Sequence, residues 1–266
     1  MKRLLAIAAL GAVVVTAAVA ATPPATKSAG ALTVGVDLPS EGFQVGVVRG
    51  TEVLLAQGFE IDLARILAFR LGLDKTVFTQ SRFDRLFSAG PKPWDIAIAE
   101  ISITPSRRLT ADFSVPYLSV GEAVLLSKSV PGATPRTLAG IRGLRICALS
   151  KSTGADVVTS RIKPTKPVRL IGNVPTLLLD LQTGVCDAVV YDSPVLATLK
   201  ARAPLRYGTL LGVIPTGEQY GIALPKGSTL RPEVNKALTS MIQDGTIARL
   251  QRKWLDGDTS KLVVLR

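Results

Sequence analysis

Residues 95–117, DIAIAEISITPSRRLTADFSVPY, restrict the fold more than any other stretch, because an unbroken apolar run opens directly onto a polar turn. From Asp95 to Glu100 the chain saturates in Ile and Ala, the pattern of a parallel strand covered on both faces. Such a strand needs helices on either side, so the fold has to be layered α/β. Thr104-Pro105 then reads as a helix entry, with a hydroxyl to cap it and a ring whose fixed φ suits the first helical position. Free backbone N–H groups at that entry suit an anion. Arg107 or Arg108 adds a planar fork of donors matched to a carboxylate, and the spacing admits either arginine.

The rest of the chain repeats the alternation of strand and helix. LTVGVD at 32–37 is a strand, and Ile61, Ala64, Leu67, Ala68 and Leu71 recur at helical spacing with Gly72 as a stop. Short elements follow at Val77–Thr79 (strand) and Phe83–Ser88 (helix), and the Asp95 strand completes a first βαβ set. After Tyr117 the chain is extended, and a loop rich in Pro and Gly over 129–140 marks a boundary. LRICALS then opens into a helix, Pro175–Thr183 is another helix, CDAVVYD a strand and SPVLATLKAR a helix. Tyr220–Leu224 is extended, and two helices divided at Asp244-Gly245 end the chain. A chain of 266 residues exceeds the usual single domain, so two α/β units are expected. At 47% hydrophobic residues, disorder is excluded except at the ends.

Lys2 and Arg3, an Ala- and Val-rich apolar run, and Ala18-Val19-Ala20 read as a signal peptide over residues 1–20, cut after Ala20. The competing reading is an uncleaved anchor, for which the alanine-heavy run is marginal. Residues 21–30 are expected to be a flexible leader, and no cysteine near the cut offers a lipid attachment point. A soluble exported protein, periplasmic or secreted, follows.

The formal net charge is +12, but the cations are scattered and aromatic residues make up only 5%, which speaks against nucleic acid and for a solvated surface. Cys147 and Cys186 could pair in an oxidising compartment or serve separately as small buried hydrophobes. With two cysteines and no histidine, neither a metal nor a cofactor is expected.

Ligands of open α/β sheets bind beyond the carboxyl ends of the strands. The polar residues placed there are Asp37, then Glu100 and Ser102, then Ser150–Thr153, and Asp192. Three candidates have a plainer alternative: Arg107 as a surface cation, and Asp192 and Thr153 as helix caps.

ISITPSRR followed by ADFSVPY closely resembles the family 3 amino-acid-binding proteins of ABC importers. GFEIDLARILAFRLGL, FDRLFSAG, WDIAIAE, CDAVVYDSPV, YGIALPKG and DGTIARLQRKWL resemble the family's other blocks in the family's order, over nearly all of residues 31–266. The resemblance implies a type II periplasmic binding protein, α/β with two doubly wound lobes joined by a two-strand hinge. Lobe 1 would comprise 31–120 and 225–266, and lobe 2 121–224, with hinge strands near 119–124 and 219–224. It further implies that the ligand's α-carboxylate meets Arg107, the region of Ser102 and Thr104, and the helix start at Ser152-Thr153. Asp192 would take the α-ammonium. Phe43 and Phe83 stand where the family sandwiches the ligand side chain, with core packing as the alternative. Glu100 departs from the family's small residue at that place. A buried carboxylate needs a partner, and Arg82, Lys151 or a basic ligand group are the candidates. The implied partners are a small amino acid or derivative and an ABC permease in the inner membrane, with the binding protein a monomer. Two alternatives remain: a sensory domain, and a cyclohexadienyl dehydratase on the same fold, for which Glu100 is the only unusual acid.

Overall fold

A computed structural model describes residues 23–130 and 135–266; the expected signal peptide and the start of the leader lie outside the described residues. The first part of the chain runs β1 (Ala31–Val36), β2 (Val45–Arg49), β3 (Glu52–Gln57), α1 (Phe59–Arg70), β4 (Lys75–Gln80), α2 (Phe83–Leu86), β5 (Ile96–Ala97), α3 (Pro105–Arg108) and β6 (Ala111–Phe113). It continues through β7 (Leu118–Leu126), β8 (Ile146–Leu149), α4 (Thr153–Val157), β9 (Arg169–Ile171), α5 (Val174–Gln182), β10 (Ala188–Asp192), α6 (Ser193–Arg202) and β11 (Leu210–Tyr220). It closes with β12 (Ala223–Pro225), α7 (Arg231–Gln243) and α8 (Thr246–Trp254).

These strands form two sheets, in the orders β2-β3-β4-β1-β5-β12-β6 and β11-β7-β10-β8-β9, each the centre of one α/β lobe. The expected parallel strands are present: β1 lies between β4 and β5, and β8 between β10 and β9, all parallel. Both sheets are nevertheless mixed, because β12 returns antiparallel between β5 and β6, and β7 runs antiparallel to β10 and β11. The two long strands β7 and β11 pair from Leu118 with Tyr220 to Leu125 with Leu210, with irregularities between Leu210 and Gly212 and between Ile214 and Glu218.

Helix α1 shows how sequence spacing becomes packing. Phe59, Ile61, Leu63, Ala64, Leu67 and Ala68 are all buried, in a helix held between the first sheet and the terminal helices α7 and α8, so a truncation such as Leu63→Ala should cost about 2 to 5 kcal/mol. Gly58 before it has φ 131°, and a Cβ there would lie 2.1 Å from the Phe43 carbonyl oxygen, so only glycine fits.

Two features differ from expectation, and a third was left open. The β2–β3 hairpin, turning at Gly50, was not anticipated. The Asp95 strand is regular only over Ile96–Ala97, flanked by backbone bonds from the Asp95 N–H to the Thr33 carbonyl and from the Ile98 N–H to the Gly35 carbonyl; the Asp95 carboxylate accepts from the backbone N–H groups of Lys27 and Thr33, both at 2.8 Å, and Glu100 turns the chain with φ 51°. Lys27, in the expected flexible leader, is thereby tied to lobe 1. The cysteines, left open by sequence, form a disulfide between β8 and the residue Cys186 ahead of β10, with Cα atoms 5.9 Å apart. Among the described residues no helix is long and apolar enough to cross a membrane.

Candidate functional site

The carboxyl ends of β1 and β5 form one wall of a seam between the lobes. Asp37 is half-buried just after β1; Gln80 Nε2 donates to its Oδ1 at 3.1 Å, and burial pushes its pKa up to about 6. Glu100 is 5% exposed. Its Oε2 accepts from Ser40 Oγ at 2.7 Å and, across the seam, from the Tyr191 hydroxyl at 3.5 Å. Burial, and then the charges of Glu60, Asp192 and Asp37, hold Glu100 well above the usual carboxylate range. Neither expected protein partner reaches it: Arg82 and Lys151 both pair with Asp84 instead, at 3.4 and 2.7 Å. The reason is solvation. Asp84 lies at the surface, where long cationic side chains keep water, whereas meeting Glu100 would strip them of it.

Below Glu100, Glu60 of α1 accepts from Gln44 Nε2, the Tyr117 hydroxyl and the Glu100 backbone N–H, and burial raises it to about 7. It supports the backbone that presents Glu100.

The choice between the two arginines is decided by α3. Thr104 Oγ1 caps that helix by accepting from the Arg107 N–H at 3.2 Å, which turns Arg107 inward while Arg108 stays exposed. The Arg107 guanidinium lies over the rings of Phe87 and Phe83, 4.5 and 5.2 Å from their centroids. It donates to the Ser102 carbonyl at 2.9 Å and, from lobe 1 to lobe 2, to the Lys151 carbonyl at 3.1 Å. Its surface-cation alternative is therefore excluded: the residue is 7% exposed. Phe83 thus backs the guanidinium. Phe43 packs edge-on against Phe59 and Tyr220, the core-packing arrangement.

Lobe 2 supplies the facing groups. Ser152, not Thr153, caps α4, accepting from the Ala155 N–H at 3.1 Å, so Thr153 is free of that role as the first helical residue. Asp192 stands at the N-cap position of α6, yet its side chain makes no capping bond, and its buried Oδ1 has no hydrogen-bond partner. Burial, then Glu218, pushes Asp192 up to about 7.

Two acids that sequence reasoning passed over complete the arrangement. Glu122 on β7 is fully buried, with no donor within hydrogen-bond distance of either carboxylate oxygen and the Thr153 hydroxyl as its neighbouring donor. Glu218 on β11 accepts from Ser102 Oγ at 2.8 Å. Glu122, Asp192 and Glu218 each present an oxygen within 4.8 Å of the others. The available signal was a lone acid inside the apolar run GEAVLL, a placement that requires a partner.

One guanidinium faces a surplus of carboxylates. That distribution suits a small zwitterion whose anionic end meets Arg107 and whose cationic end meets the acids.

A family model of the bacterial extracellular solute-binding proteins, family 3, matches residues 32–257. The L-cystine-binding protein TcyJ of Escherichia coli (strain K12) is 30% identical over 210 residues, 77% of this chain and 76% of that protein. Among solved structures, an ancestral arginine-binding protein bound to arginine is 31% identical, with a TM-score of 0.72, covering 85% of this chain and 98% of the other. The ancestral amino acid-binding protein AncCDT-1, described as a precursor of cyclohexadienyl dehydratase, is 29% identical with a TM-score of 0.70, covering 85% and 96% of the two chains.

Proposed function

The chain belongs to the bacterial extracellular solute-binding proteins, family 3, and from that premise we propose that it captures an amino acid with a cationic side chain between its lobes and delivers it to an ABC permease. The observation that carries this reading is the guanidinium of Arg107, the one arginine buried among the described residues, at a seam lined by Asp37, Glu100, Glu122, Asp192 and Glu218. A ligand α-carboxylate would take the Arg107 donors that now reach backbone carbonyls, along with the Ser102, Thr104, Ser152 and Thr153 region. Its α-ammonium would sit at Asp192. A second cation toward Glu100 and Asp37 would offset the burial that raises both acids. The arginine-binding relatives support the same ligand class.

Capture works by closure. The lobes would rotate about β7 and β11, and a ligand that touches both lobes stabilises the closed form through contacts absent from the open one. The closed monomer would then dock on the permease of an importer, in the periplasm or at the cell exterior. Isothermal titration with arginine, lysine, ornithine, glutamine and glutamate tests the reading. Tight binding of a dibasic amino acid and none of glutamate supports it, and preference for glutamate would refute it.

The relationship to AncCDT-1 keeps a second reading in view, elimination of water and carbon dioxide from a prephenate-like acid. Glu100 and Glu122, held protonated by burial, would be the acids. A doubly anionic substrate fits poorly among so many carboxylates, which favours binding over catalysis. Phenylpyruvate formation from prephenate would reverse that order.

A further inference from the structure

Glu122 and Asp192 are direct cross-strand partners on β7 and β10. Two carboxylates so placed repel, and here both are buried at the middle of a sheet. Three of their four oxygens, Glu122 Oε1 and Oε2 and Asp192 Oδ1, have no hydrogen-bond partner. No salt bridge reaches Glu122, Asp192 or Glu218 among the described residues. The backbone also makes room for the Glu122 carboxylate: a Cβ on Gly154 would lie 2.9 Å from its Oε2, so glycine there leaves the acid its space. A buried acid with unmet oxygens, paired across the ladder with a second buried acid and within 4.8 Å of a third, is arranged for a cation from outside the chain.

We infer that Glu122, Asp192 and Glu218 together form a three-carboxylate subsite for a primary ammonium group, and that Glu122 makes the protein selective for ligands whose α-nitrogen carries no second carbon. This rests on the proposed amino-acid-binding role of the cleft. The spacing fits the group. Three acceptors tetrahedrally disposed about an ammonium nitrogen at ordinary hydrogen-bond length lie about 4.6 Å apart, and one oxygen from each of these residues lies within 4.8 Å of the others. A primary ammonium has three N–H donors, one for each carboxylate. A secondary amine has two, so an Nα-alkylated amino acid would leave one buried carboxylate unmatched and press its extra carbon against another. A hard divalent metal suits the site less well, since calcium takes six to eight oxygen ligands and three side chains offer too few. Burial, then the charges of neighbouring acids, raises both Glu122 and Asp192, which favours their neutral forms without a cation and lets the subsite tolerate being empty.

The test is titration calorimetry on the full mature chain and on Glu122→Gln and Glu218→Gln, each checked for native circular dichroism. The ligands are the amino acid bound most tightly in the screen above, its Nα-methyl derivative and its α-hydroxy analogue. Wild type should bind the Nα-methyl and α-hydroxy forms at least about tenfold more weakly than the parent, a factor worth about 1.4 kcal/mol. Glu122→Gln should weaken the parent about tenfold and shrink the discrimination against the Nα-methyl form. Equal affinity of wild type for parent and Nα-methyl ligand overturns the inference while leaving the amino-acid-binding role intact, as does an unchanged parent affinity in Glu122→Gln. Saturable binding of calcium or manganese chloride alone, lost in Glu122→Gln, overturns it in favour of a metal site. If no amino acid binds wild type, the proposed function fails and the inference falls with it.

Discussion

Arg107 reaches across the seam between the lobes and donates from Nη2 to the carbonyl oxygen of Lys151 at 3.1 Å. In the same position it is stacked on Phe83 and Phe87 and tied to the Ser102 carbonyl, so its guanidinium is oriented before any ligand arrives. Replacing it with alanine would leave a desolvated ligand carboxylate unmatched, which should cost about 2 to 5 kcal/mol of affinity. Arg107→Lys should recover only part of this, because an ammonium cannot form the paired, planar contact. Calorimetry on both variants checks the point; unchanged affinity in Arg107→Ala would remove the arginine from the site.

Lys151 also forms a second bridge between the lobes, from its Nζ to Asp84 Oδ2 at 2.7 Å. The lysine is 64% exposed, so the pair is screened and worth at most about 1 kcal/mol. Asp84→Asn should therefore leave folding intact while shifting the ligand-free protein toward the open form. Small-angle scattering should show a larger radius of gyration without ligand and no change with saturating ligand. Identical ligand-free curves for the variant and wild type would show that this contact does not hold the lobes.

Acidity should act on the free and loaded forms in opposite directions. Burial raises Asp192 from its ordinary value of 3.8 to about 7. The folded ligand-free protein therefore binds a proton that the unfolded chain releases, and the contribution of Asp192 to stability, fully present below pH 4, is lost as pH climbs through 7. A cationic ligand needs the ionised acid, so the ligand-induced rise in Tm should grow between pH 5 and 8 while the ligand-free Tm falls. Thermal melts across that range, with and without ligand, measure both trends. A ligand-free Tm that rises steadily to pH 8 would contradict the burial of these acids.

The disulfide spans 39 residues and ties β8 to the entry of β10, the strand that ends in Asp192. Closing a loop of that size restricts the unfolded chain, so a Cys147→Ala, Cys186→Ala double variant should lose about 2 to 5 kcal/mol of stability. Ligand affinity should change little, because Asp192 lies at the far end of its strand. Chemical denaturation and calorimetry separate the two effects.

Much of this arrangement was legible in the chain because the relevant residues end regular elements. Thr104-Pro105 marks the entry to α3, and Arg107 follows from it; Asp192 is the last residue of an apolar strand. The residues that escaped notice belong to long-range pairing. Glu122 and Glu218 sit on β7 and β11, whose register brings Glu122 opposite Asp192 but cannot be deduced from either strand alone. The β2–β3 hairpin lies in a stretch, VGVVRGTEVLLAQ, where exposed Val47 and Val48 blur the alternation that marks a half-buried strand. Glu100 was visible as an anomaly, yet its partners Ser40 and Tyr191 come from a loop and from the other lobe, beyond the reach of local pattern.

Glu100 also holds the backbone at φ 51°, a left-handed conformation in which a side chain other than glycine costs about 1 to 2 kcal/mol. Its carboxylate is buried as well, raised by its own desolvation and by Glu60. Glycine at this position would relieve both costs, and under the proposed function glutamate offsets them with a ligand contact. Glu100→Gly should therefore raise the Tm of the ligand-free protein. It should also weaken binding of a dibasic amino acid by at least about tenfold, or about 1.4 kcal/mol, while changing affinity for a neutral amino acid much less. Melting curves and calorimetry on arginine and glutamine measure both halves. A gain in stability with no loss in arginine affinity would place the side-chain subsite elsewhere, and a loss of stability would mean that the Ser40 and Tyr191 contacts outweigh the strain.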